Sequence, residues 1–213
     1  KPSSAASDVY KRQVYSMVIL GTHGTIWLHR YCTHRSYQFR SKVFRTLCRN
    51  LVIKVIPEEI YVVSHHLHHQ ISDQPGDPYN VNGGWLYCFL ADVNHQTVSK
   101  TLSREKYKVL CRMLEHTGVV LNSYESYQRW GSLCHPFYTV LHYCLNWGFW
   151  YAVFFLAGGH ALATAIFGLS GVWAIGVRTF NYDGHGRGKD RRRVGIDFND
   201  RDLSVNQVWP GYV

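Results

Sequence analysis

Between Arg129 and Arg178 the chain runs for 48 residues, Trp130 to Val177, without one Asp, Glu, Lys or Arg. No other feature restricts the fold as much. Two pieces of this stretch, "FYTVLHYCLNWGFWYAVFFLAG" and "HALATAIFGLSGVWAIGV", each reach the length at which an apolar helix crosses a bilayer core, about 20 residues. Gly158 and Gly159, between them, read as a turn. The expectation is a helical hairpin through a membrane over about residues 137–177, with Trp147, Trp150, Tyr151 and Trp173 in the interfacial belts. Mean hydropathy over the whole chain is only -0.20, because a polar region at about 35–129 and a basic tail dilute the apolar stretch.

Charge gives the orientation. The formal net charge is +9, and the cations cluster in "HRSYQFRSKVFRTLCRN" and "RGKDRRR". Such a balance suits anionic lipid, a phosphorylated substrate or nucleic acid, although a solvated face explains charge runs equally well. The charge-free hairpin argues against nucleic acid. Val14–Leu28 also lacks Asp, Glu, Lys and Arg. At roughly 22 Å as a helix, it reads as the cytosolic end of a span, the alternative being a buried helix of a soluble protein. Basic segments follow both this span and the hairpin, and both belong on the cytoplasmic side. Residues of about 35–129 then form a cytosolic layer and 178–213 a cytosolic segment. Within the layer, "LSREKYKVLCRMLEHTG" predicts an amphipathic helix that starts at "SREK" and stops at Gly118. The six cysteines show no CxxC and no regular spacing, which speaks against a disulfide framework or a structural zinc site.

Residues 1–13 stand apart. "SSAASDVYKRQ", Ser3 to Gln13, is codon for codon the translation of a transposase sequencing adapter; the alternative is a short disordered polar tail. Either way it carries no fold information.

The histidines supply the chemistry. "VVSHHLHHQISD", residues 62–73, holds His65, His66, His68 and His69. His65, His68 and His69 stand at i, i+3 and i+4 and share one helix face, while His66 turns about 100° away. "HRYCTH" adds His29 and His34, and "NYDGH" adds Asn181 and His185, which share a face. His29 and His34 are five apart and diverge by about 140° on a regular helix. They reach one cluster only if the helix ends or bends between them, or if each serves a different metal of a pair. Three spaced groups on one predicted side of a membrane point to a metal site, and imidazole suits Fe, Cu, Ni and Zn.

"HRYCTHRSYQFRS" followed by "HHLHHQISDQPGDPYN", with the tail "NYDGHGRGKDRRRVGIDFNDRDLSVNQVWPGYV", resembles the membrane fatty acid desaturases, in particular the acyl-CoA desaturase branch. The resemblance covers essentially all of residues 14–213. It implies an all-α integral membrane fold: a transmembrane helical stalk with a cytosolic helical cap carrying a histidine-rich di-iron site. It implies two iron ions, with His29, His34, His65, His68, His69 and His185 as ligands and Asn181 holding metal through water. The implied reaction introduces a cis double bond into a fatty acyl chain, carried on CoA or a lipid, at the expense of O2. No haem, flavin or iron–sulfur motif is present, so an external ferredoxin or cytochrome is the implied electron donor. Asp73 and Asp77 are candidate partners for ligand N–H groups, unless "DQPGDPYN" is simply a turn. Arg187, Lys189, Arg191, Arg192 and Arg193 are candidates for CoA phosphates or anionic headgroups. The family's third histidine box, HxxHH, is not present before Val213. The chain is therefore expected to be a fragment lacking the first membrane helix and the last ligand set, binding iron poorly and not turning over by itself. Two other classes remain open: a related membrane di-iron hydroxylase, and a non-enzymatic membrane metal-binding or sensor protein. The site is expected at the cytoplasmic face of a bacterial inner membrane or the endoplasmic reticulum.

Overall fold

Local signals set most of the helix boundaries. In the computed structural model, residues 23–90 and 98–184 are described. A π-helix, Gly24–Thr33, comes first. It is followed by α1 (Lys42–Arg49), α2 (Glu58–Ile71), α3 (Trp85–Phe89), α4 (Arg104–Leu114), α5 (Tyr124–Trp130) and α6 (Pro136–Gly184). Among the described residues there is no strand, only an isolated antiparallel bridge between Leu121 and Cys134. Ser41, Ser103 and Ser123 cap α1, α4 and α5 by accepting the N–H of the residue three on, as serine before a first turn does. Gly118 closes the expected amphipathic helix in the left-handed region, φ 87°, which a side chain would strain. α2 has no capping side chain; Pro57 precedes it and Glu58 and Glu59 fill its first turn, where carboxylates suit the helix dipole.

A core of Trp27, Tyr31, Val62, Tyr107, Leu114 and Tyr127 joins the π-helix to α2, α4 and α5. This cap orients the histidine-bearing face of α2 towards the π-helix. Emptying the fully buried Leu114 by substitution with alanine would cost about 2–5 kcal/mol.

α6 is two arms. Gly158 (φ -170°, ψ 23°) and Gly159 (φ 72°, ψ -172°) leave helical geometry, and the second requires a residue without Cβ. The chain reverses there. The Tyr151 and Phe167 rings lie 5.6 Å apart, whereas sixteen residues of straight helix would separate them by about 24 Å. The turn expected at the glycine pair is therefore present. Pro136–Val172 is long and apolar enough to cross a membrane. Its outward side chains, Leu145, Phe149 and Leu156 among them, are exposed.

One polar strip interrupts the first arm of α6. Buried Asn146 accepts the Lys54 N–H at 2.9 Å and donates to Val52 O at 3.1 Å. Trp147 and Trp150 donate their indole N–H to Lys54 O and Asn50 O, at 2.8 and 3.0 Å. These bonds satisfy the irregular backbone between α1 and α2, which would otherwise be costly beside an apolar helix. They also show that the two tryptophans serve as anchors of the cap.

Candidate metal centre

Two elements bring four imidazoles together. On α2, one helical turn puts His65 and His69 on the same side, their Nε2 atoms 3.0 Å apart. The other pair comes from the π-helix. Its bonds run from each N–H to the carbonyl five residues back, as from His34 N to His29 O at 3.0 Å, so a turn contains one residue more than in an α-helix. Residues five apart then fall on one side. The His29 and His34 ring centroids lie 4.5 Å apart, and His34 Nε2 is 3.3 Å from His65 Nε2. The Thr33 hydroxyl reinforces the wide turn by donating to Leu28 O, five residues back, at 2.9 Å. The open question about the five-residue spacing is answered by a change of helix type: the segment widens, and both imidazoles reach one cluster.

The ligand atoms of His29, His34, His65 and His69 all lie within 4.8 Å of one another. Metal–imidazole bonds of about 2.0–2.1 Å separate ligands across one ion by up to about 4 Å, so small shifts would let the four hold a single ion. Their electrostatics suit this. Burial, then the neighbouring His34, His69 and Arg30, push His29 down to about 4. Burial, then His29 and His69, lower His65 still further. Both rings are neutral near pH 7, the form in which imidazole binds metal.

The other expected site residues fall into three sets. His68 stands beside the four-histidine group, its ring centroid 6.3 Å from that of His65. Its Nδ1 faces the fully buried Asp77 carboxylate, at 2.9 Å from Oδ2 and 3.0 Å from Oδ1. Asp77 also accepts the N–H groups of Asp73 and Tyr79, each at 2.8 Å. Burial alone would raise the Asp77 pKa, but these donors hold it below the usual carboxylate value. A carboxylate on Nδ1 orients Nε2 of the same ring as a ligand atom, so Asp77 has the contact expected of a supporting residue. Asp73 instead accepts Val81 N–H at 3.2 Å and sits at φ 60°, where it shapes the turn. "DQPGDPYN" is thus a turn and a histidine support at once. His66 is not one of the four converging histidines and meets the Thr33 backbone instead. Asn181 lies in the last turns of α6; its side chain, together with His185, Arg187, Lys189 and Arg191–Arg193, lies outside the described residues.

Three positioning groups carried no sequence signal. Buried Glu58 binds Lys54 Nζ and, at 2.8 Å, Arg49 Nε. The Glu59 carboxylate accepts Ser132 Oγ and Leu133 N–H at 2.7 Å each and Cys134 N–H at 3.1 Å. Together with Asn146 they fix the base of α2, two turns below His65. Adjacent acidic residues at a helix start read as a response to the helix dipole, and nothing in the sequence reveals their partners.

Comparison with known protein families, curated proteins and solved structures finds no match for this chain.

Proposed function

We propose that this chain belongs to a membrane di-iron enzyme that introduces a cis double bond into a fatty acyl chain, using O2 and electrons from an external ferredoxin or cytochrome. The observation that carries the reading is the convergence of four imidazoles from two elements next to a helix apolar enough to cross a bilayer. An unactivated C–H bond offers no acidic proton to a base, and a redox metal pair held by imidazoles supplies the O2 activation such a bond requires, which zinc does not.

The protein's own part is holding and orienting. His29, His34, His65 and His69 would hold one metal position. His68, beside the Asp77 carboxylate, and His185 and Asn181, by the resemblance, would contribute to the second. Arg187, Lys189 and Arg191–Arg193 meet the phosphates of CoA or an anionic headgroup. An apolar hairpin would keep the site at the membrane, where acyl chains dissolve, and the basic segments favour the cytoplasmic face.

The test is expression of the full-length gene in a host without its own desaturase, with the fatty acids analysed for new double bonds. A new cis bond that needs O2 and disappears in His65→Ala is expected. A hydroxylated product would move the reading to the related hydroxylases. Unchanged lipids with tightly held zinc would favour a metal-binding or sensor protein and overturn the enzyme.

A further inference from the structure

α1 presents an apolar face that the described protein leaves uncovered. Val43, Phe44 and Leu47 lie on one side of the helix and Leu51 just beyond its end, and each is more than half exposed. No residue of α1 is buried. Exposed cations, Arg40 and Lys42, stand at its start. A short helix with a concentrated apolar face beside cations is the pattern of an element lying in a membrane interface. An isolated apolar patch could also meet protein, but two observations favour lipid. The segment leaving α1 is hydrogen-bonded to α6 by Trp147 and Trp150, so α1 is tied to the helix that would enter the bilayer. The charge also complements an anionic leaflet.

We infer that α1 is an interfacial foot: its Val43–Phe44–Leu47–Leu51 face enters the acyl boundary of an anionic leaflet while Arg40 and Lys42 meet lipid phosphates. This rests on the membrane reading of α6 and adds a second, monotopic contact that fixes how the cap, and with it the histidine cluster, stands over the bilayer.

The experiment is photocrosslinking of the full chain in nanodiscs. Benzoylphenylalanine is placed at Phe44, at Leu156 near the α6 turn, or at exposed Val109 on α4, and the adducts are identified by mass spectrometry. Lipid adducts are expected at 44 and 156 and none at 109. In nanodiscs containing phosphatidylglycerol, the adduct at 44 is expected to diminish when Arg40 and Lys42 are both changed to Gln. Lipid adducts at 156 but not at 44 overturn the foot alone. Adducts at 44 to a second copy, or to another stretch of this chain, also overturn it. No lipid adduct at either position overturns the membrane reading beneath it. Yields at 44 that are indifferent to Arg40, Lys42 and phosphatidylglycerol remove the anionic part of the claim.

Discussion

Single side chains separate holding from supporting. Asp77 has no exposed surface and accepts three donors, so Asp77→Asn leaves His68 with a poorer partner and disturbs the turn. The expected outcome is a loss of about 10–100-fold in metal affinity, read by titration with Fe(II) under anaerobic conditions; unchanged affinity would mean that His68 holds no metal. Glu58 makes a different prediction. Burial pushes its pKa up, but Lys54 and Arg49 outweigh that and hold the carboxyl well below its ordinary value of 4.5. A depressed folded-state pKa means that the stabilisation is complete above about pH 4.5 and is lost as pH falls towards the folded value. Glu58→Gln should therefore cost about 3 kcal/mol near neutrality by stranding the buried Lys54 and removing a partner of the partly buried Arg49, with the difference from wild type shrinking in acid. Thermal unfolding of the solubilised protein across pH reads this. A penalty that persists undiminished at pH 3 would contradict the assignment.

Individual elements explain what the sequence could and could not disclose. The α2 pair was legible, because i and i+4 share a face on any α-helix, and so were the start of α4 at Ser103 and the stop at Gly118; the caps at Ser41 and Ser123 were found only in the structure. The glycine pair announced the reversal of α6. His29 and His34 were recognisable as a group, but not their convergence, since the wide turn depends on the Thr33 hydroxyl and on packing of Trp27 and Tyr31 in the cap. Long-range partners such as Glu59 with residues 132–134, or Asn146 with residues 50–54, lie more than seventy positions apart and leave no local trace. Thr33→Val should relax the π-helix and turn His34 away from His29. A bond worth about 1 kcal/mol corresponds to a several-fold loss of metal affinity, and Thr33→Ser should restore it. Equal affinities for the Val and Ser variants would assign the widening to packing alone.

At the level of the whole molecule, the chain joins a polar helical cap to an apolar hairpin. Leu156 is 84% exposed, and its neighbourhood decides between water and lipid. In water, Leu156→Arg at such a position would change stability by less than about 0.5 kcal/mol. In a bilayer a charge costs up to about 2.5–3.5 kcal/mol at mid-depth and less towards an interface, so the variant should accumulate less well in membranes. Fractionation of cells expressing the two forms distinguishes them. The capacity of the histidine cluster to hold a redox metal is the claim on which the proposed function stands. The measurement is Fe(II) titration of the purified full chain without oxygen, comparing wild type with His65→Ala. The account predicts a saturable iron site, weak or strong, that is lost in the variant. Iron retained equally by both, or an affinity for zinc alone, would contradict it.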